Sequence, residues 1–264
     1  MPRLKLTLEY DGTRYVGWQV QPNGVSIQAR LAGALEQLLG ERVAVEAAGR
    51  TDAGVHATGQ VVCFDTRRTL PLKAYWKGLN GFLPEDIAVV RAEEVPPDFD
   101  PRRWSLGKRY RYRVSNKPTR SPLRRFTHWE VFSPLAVEAM QRAAAHLVGR
   151  HDFSSFRASD CQAAHAMREV RRVDVQGTSG DAVSFTVEGT AFLKHMVRNL
   201  VGTLVEVGKG RRPEDWVAEV LAARDRKRAG PTAPAHGLVM EEVFYGEGPP
   251  PRTPGGTADG DDEE

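Results

Sequence analysis

Between Ala47 and Phe64 the chain reads AAGRTDAGVHATGQVVCF, with one carboxylate, Asp52, between Gly49 and Gly54 and with Arg50, Thr51 and His56 close by. A connection between two strands needs only turn chemistry, and aspartate often serves there because its oxygens accept from nearby amides. A bare turn has no use for a large cation two residues away. Glycines allow unusual backbone angles or a close ligand approach. The loop therefore combines an acid, a cation and a permissive backbone. An ionised carboxylate can serve as a nucleophile or as a general base, and a guanidinium beside a carboxylate in a dry cleft stabilises its charged form.

Two further stretches carry groups suited to a polyanionic substrate. In KRYRYRV, strand alternation puts Lys108, Tyr110 and Tyr112 on one face and Arg109, Arg111 and Arg113 on the other. Tyrosines on an open sheet face stack bases; the other reading is a tyrosine pair covered by helices, with the arginines outside. FLKHMVRNLVG has helical spacing, which places Arg198 one turn after Lys194 with His195 and Asn199 on a neighbouring strip, while Leu193, Met196, Val197, Leu200 and Val201 supply a buried face. Arg198 then lies near the core side, where a guanidinium needs a partner or must snorkel out. Asp52 is one candidate partner. His151, Asp152, Cys161 and His165 have the residue types of a metal site, but their spacing fits no zinc pattern.

Composition narrows the class of partner. The net charge of the 264 residues is +3, yet EGPPPRTPGGTADGDDEE at residues 247–264 has the composition of a disordered acidic tail and leaves about +8 on the rest. Arginine supplies 29 of the 37 basic residues, which favours bidentate phosphate contact and base stacking. Arg120, Arg124 and Arg125, then Arg168, Arg171 and Arg172, then Arg224, Arg226, Lys227 and Arg228 lie on well-separated stretches that a dimer could assemble into one track. The opening MPRLKLTLEY lacks a secretory core, no apolar run reaches the length of a membrane span, and two cysteines make no disulfide framework. A cytoplasmic protein is expected.

Hydrophobic periodicity supplies the elements that must position these groups. It predicts strands at 3–10, 42–48, 57–66 and 86–95 with helices at 26–39 and 71–80, in the order βαββαβ. The second half repeats that order: a strand at 108–116, a helix at 134–148, a hairpin turning at Ser179-Gly180-Asp181, a helix at 192–208 and a strand at 238–245. The fold class expected is α+β, two ferredoxin-like halves with antiparallel sheets side by side and a cleft between them. One continuous sheet over a single core is the other arrangement this order allows. The boundaries drawn are 1–103 with the catalytic loop, 104–246, and the tail 247–264.

GRTDAGVHA, KRYRY, HDFSSFR, FLKHMVRNLVG and APAHGL occur in an order and spacing that resembles the TruA family of tRNA pseudouridine synthases, over about residues 3–245. The resemblance implies the pseudouridine synthase fold, with Asp52 as catalytic carboxylate and Arg50 helping to extrude the target nucleotide. It further implies Tyr110 against the flipped uracil and Arg198 as ion-pair partner of the aspartate. It also implies a homodimer that converts uridines at positions 38–40 of the tRNA anticodon arm with no cofactor and no metal.

The chemistry suits the opening loop. Isomerising uridine breaks the bond from ribose to nitrogen, rotates the base and rejoins it through carbon five. One carboxylate suffices, as nucleophile at the anomeric carbon or as base on the neighbouring ribose carbon. The base must leave its stack, which calls for a wedge residue and an aromatic surface. Two other classes compete. A non-catalytic pair of RNA-binding domains accounts for the basic strand but not for the glycine-flanked carboxylate, and a metal-dependent nuclease would use Asp11, Asp52, His56 and Asp65.

Overall fold

The computed structural model describes residues 1–249, so the predicted tail falls outside the described residues from residue 250 onward. Contacts group the described residues into two units, residues 1–106 with 240–249, and Gly107–Val239. Both mix helices with antiparallel strands, the α+β class that the pattern predicts.

The first unit opens with β1 (Arg3–Tyr10), whose Leu4, Leu6 and Leu8 are 1% exposed or less. Each such leucine stabilises the fold by about 1.5–3 kcal/mol. Ser26 Oγ accepts from the Ala29 amide and starts α1 (Ile27–Leu39), which Gly40 ends at a φ of 71°. Then come β2 (Glu46–Ala47), β3 (His56–Asp65), a helical segment over 72–82 that ends in α2 (Leu79–Phe82), and β4 (Ile87–Val95). β1 lies between β3 and β4 and is antiparallel to both. The strand predicted at 42–48 shrinks to two residues. Its outer positions are exposed and its valines only half covered, so no buried face holds the rest to the sheet.

The second unit contains β5 (Ser105–Ser115), whose first two residues fall in the other unit, the short β6 (Trp129–Glu130), α3 (Val137–Ala144) and β7 (Gly149–Asp152). The predicted hairpin follows as β8 (Met167–Gly177) and β9 (Ala182–Gly189), then α4 (Met196–Gly208) and α5 (Trp216–Ala223). The strands run in the order β5, β9, β8, β7. α4 begins four residues later than its apolar spacing predicts. The Lys194 carbonyl accepts from the Ala158 amide, its ammonium pairs with Asp160, and His195 turns left-handed at a φ of 62°, so Lys194 and His195 precede the helix.

The closing strand β10 (Leu238–Tyr245), expected to complete the second half, groups from Met240 with the first unit, beside β3. Gly59 is required there, because a Cβ would come within 2.1 Å of the Glu241 carbonyl oxygen.

Candidate active site

The loop before β3 is held from beneath, residue by residue. Gln60, fully buried on β3, donates its Nε2 to the Gly49 carbonyl at 2.9 Å. The Tyr10 hydroxyl at the end of β1 bonds Thr51 Oγ1 at 2.8 Å in the interior. Burial raises the Tyr10 pKa far above its ordinary value, so it acts as a neutral hydrogen-bonding group. The Thr51 carbonyl accepts from the Trp18 amide, the Asp52 carbonyl from Val55, and the Gly54 amide donates to Tyr15. Over this pinned backbone Arg50 is exposed and Asp52 half-buried.

The frame comes from residues 10–18, YDGTRYVGW, of which the sequence pattern singles out only Asp11 and the strand end at Tyr10. A Cβ on Gly12 would lie 2.0 Å from the Val55 carbonyl oxygen, and one on Gly17, at a φ of 109°, 2.6 Å from that of Thr51. Backbone meets backbone at both places, and only glycine fits. Two glycines five residues apart, directly after an apolar strand and set among aromatics, were the available signal. His56 belongs to this frame: it is buried, its Nδ1 accepts from the Gly12 amide at 3.1 Å, and Asp11 lies at 3.1 Å. Burial pushes the Asp11 carboxyl up, but the two Thr13 donors, His56 and Arg14 outweigh it and hold its pKa below the ordinary value.

Asp65 ends the strand that His56 begins, roughly 30 Å of extended chain away, where it pairs with Arg3 at 2.7 Å. The four nuclease candidates therefore cannot share one ion. Among the described residues no group of three or more His, Cys, Asp or Glu is placed to hold a metal.

In the second unit the tyrosine face of β5 is the covered one. Tyr112 is fully buried, donates to the Pro234 carbonyl at 2.7 Å and packs edge-on to Trp129. Tyr110, 8% exposed, meets the Phe192 ring edge-to-face at 5.2 Å, and Lys108 is 3% exposed. Of the two arrangements the sequence allows, the tyrosine face is the covered one, and the outer face carries the arginines, with Arg109 paired to Glu188 at 2.7 Å.

Arg198 on α4 is half-buried, and its Nε donates to the Ala233 carbonyl at 2.8 Å. Next to it, Asn199 gives Nδ2 to the Phe156 carbonyl and accepts at Oδ1 from Arg226 and Thr232. The motifs HDFSSFR, FLKHMVRNLVG and the segment before APAHGL thus lock together. At Gly202 a Cβ would sit 1.7 Å from the Pro231 carbonyl oxygen, which fixes the glycine of that helix.

Several cations expected on an RNA track are used inside the fold. Arg168 is 1% exposed and gives Nη1 to the carbonyls of Met167 and His165 at 2.7 and 3.1 Å. Arg226 is bound to Gly230, Asn199 and Thr232, and burial lowers its pKa. Arg171 faces Glu169, Arg172 faces Asp174 and Glu188, and Arg224 faces Asp152.

Residues 7–102 and 143–246 match the family described as tRNA pseudouridine synthase, and the chain belongs to that family. The chain is accordingly an isomerase. Over 264 residues, and all of both chains, it is 76% identical to tRNA pseudouridine synthase A of Myxococcus xanthus. It is 51% identical to the protein of that name from Pelobacter propionicus and 49% to that from Geobacter sulfurreducens, in each case over 93% of this chain and all of the relative. The family resemblance drawn from the five motifs is borne out. No helix among the described residues is long and apolar enough to cross a membrane.

Proposed function

We propose that Asp52 is the catalytic carboxylate with which this chain isomerises uridine at positions 38–40 of the tRNA anticodon arm. The observation that carries the reading is a half-buried carboxylate beside an exposed guanidinium, on a backbone pinned at Gly49, Thr51, Asp52 and Gly54. A carboxylate that must meet one carbon of a bulky substrate gains rate from being held in place, since misplacement by about 1 Å can cost roughly a hundredfold.

The reaction balances without a cofactor or metal. The bond from C1′ to N1 of uracil breaks, the base turns, and a bond from C1′ to C5 forms; C5 loses a proton and N1 gains one. Asp52 serves either by attacking C1′ or by taking the C2′ proton. Arg50 fills the space vacated by the extruded nucleotide, Tyr110 lies against the uracil, and Arg198 supplies the cation for the aspartate, as the resemblance implies. The protein acts in the cytoplasm as a homodimer that binds tRNA through distributed phosphate contacts, so affinity falls steeply with salt.

Mapping pseudouridine nucleotide by nucleotide in unmodified tRNA, with and without a chelator, tests this. The parent protein should modify positions 38–40 in chelator. Asp52→Asn, nearly isosteric, should form no product while its tRNA affinity stays within a few-fold. A rate near the parent's would overturn the assignment, and a parent that binds tRNA without product would favour the non-catalytic RNA-binding reading. Sedimentation showing a monomer under working conditions would remove the dimer and leave the chemistry untouched.

A further inference from the structure

Asp52 sits on a segment held by buried side chains at two alternate residues, the Gly49 carbonyl and the Thr51 hydroxyl, on either side of Arg50. Gln60 reaches the first and Tyr10 the second. The Gln60 amide acts on the Tyr10 hydroxyl, easing the rise in its pKa that burial causes, so the two side chains stand together beneath the loop, one at the Gly49 carbonyl and the other at Thr51 Oγ1. Its side chains are closed off from solvent: Gln60 is 0%, Tyr10 3% and Thr51 6% exposed.

The placement follows from the sheet. Leu8 pairs with Gln60 and Tyr10 with Ala57, with a bulge between, so Tyr10 and Gln60 stand on one face of neighbouring strands below the loop. Buried polar groups are tolerated in a core when every member has a partner, and such a network fixes one geometry. An apolar pair of similar size would pack here and leave the loop's hydroxyl and carbonyl without these partners. The two polar side chains fit the need to hold Arg50 and Asp52 at a set height and angle over the sheet.

We propose that Tyr10 and Gln60 are positioning residues that act through Thr51 and Gly49 to set the Asp52 carboxylate for reaction. The inference rests on the reading of Asp52 as the catalytic group. Neither residue touches substrate; each acts on the loop. Tyr10→Phe keeps the ring and its packing against Trp18, whose centroid lies 6.3 Å away, and removes only the hydroxyl. Thr51→Val removes the other half of the same hydrogen bond, and Thr51→Ser restores it.

The test compares single-turnover rate and tRNA affinity for Tyr10→Phe, Thr51→Val, their double variant, Thr51→Ser and Asp52→Asn. Tyr10→Phe and Thr51→Val should each slow the chemical step about tenfold or more with affinity within twofold. The double variant should be no slower than the worse single one, because the two remove one interaction, and Thr51→Ser should return to within about threefold of the parent. Gln60→Leu should likewise slow the chemical step and spare affinity. Parent-like rates for Tyr10→Phe and Thr51→Val, beside an inactive Asp52→Asn, would overturn the positioning role and leave Asp52 in place. Multiplicative losses in the double variant, or losses of affinity equal to those of rate, would mark general structural damage and overturn it too. An active Asp52→Asn would overturn both readings. Should Tyr10→Phe fail to fold, the contrast between Val and Ser at Thr51 decides alone.

Discussion

Arg50 and Arg168 are the same residue type in stretches that read alike, short runs mixing cations, small residues and a histidine, yet they end in opposite surroundings. Arg50 is exposed on a loop whose backbone is held by its neighbours, so its side chain adds nothing to the hydrogen bonds that pin Gly49, Thr51 and Gly54. Arg168 is buried and gives Nη1 to two backbone carbonyls of the segment just before it, while its Nε and Nη2 are buried without a hydrogen-bond partner among the described residues. The difference teaches that a cation is available to a substrate only where the fold does not bury it. Asp65, at the end of β3, is tied to Arg3, and Asp52 lies half-buried on the loop before that strand.

Replacing both arginines breaks the comparison most directly. Arg50→Ala should cut single-turnover activity by about a hundredfold or more, as expected for a group that holds a nucleotide out of its stack, and shift the melting temperature by no more than about a degree. Arg168→Ala should do the reverse. It opens a cavity and strips two carbonyls of their donor, which should cost roughly 2–4 kcal/mol of stability, read by denaturant unfolding, while activity per folded molecule below the transition stays within a few-fold. An Arg168→Ala protein of unchanged stability with weakened tRNA binding would return Arg168 to the RNA surface.

A smaller effect sharpens the contrast between used and available cations. Among the described residues no carboxylate pairs with Arg120 or Arg125, and Arg125 stacks on the Phe126 ring at 4.1 Å. Neutralising either should weaken tRNA binding and flatten the salt dependence by about one phosphate's worth. Arg171→Gln and Arg172→Gln should leave affinity within about twofold, since their charges already face Glu169, Asp174 and Glu188, and exposed pairs of this kind contribute at most about 1 kcal/mol.

A further predicted effect is one of pH. Burial, then Arg124, Arg113 and His236, lower the pKa of His128 from 6.5 to about 4. The unfolded chain binds this proton below about pH 6.5 and the folded one does not until about pH 4. Stability from the neutral ring is therefore complete above the unfolded pKa and is lost as pH falls towards the folded one. His128→Gln should flatten the acid limb of the stability curve in that window, measured as denaturant midpoint against pH. An unchanged limb would mean the ring titrates normally.

Much of the architecture could be read from the chain because its signals are local. The alternation at 3–10, the serine before the helix at 27–39 and the turn between 177 and 182 each produced the element expected. The strand at 42–48 and the start of the helix at 192 did not. Whether a valine pair gains a covered face, or whether Lys194 finds Asp160, depends on residues far along the chain. At the candidate site the reading reached Arg50 and Asp52 through their neighbours in sequence. It missed Tyr10, Gln60 and Gly17, which meet the loop only after two strands have paired.

By itself the sequence determined the family, the α+β class and the loop that carries the acid, because five motifs and two hydrophobic periods survive without any knowledge of contacts. Only the tertiary structure decided which face of KRYRYRV is covered, which arginines are consumed by carbonyls and carboxylates, and why the two glycines after β1 cannot be other residues. Those outcomes turn on burial and on the approach of distant backbones. A guanidinium's cost or use, like a Cβ's clash, is set by what surrounds it in space and leaves no mark on spacing along the chain.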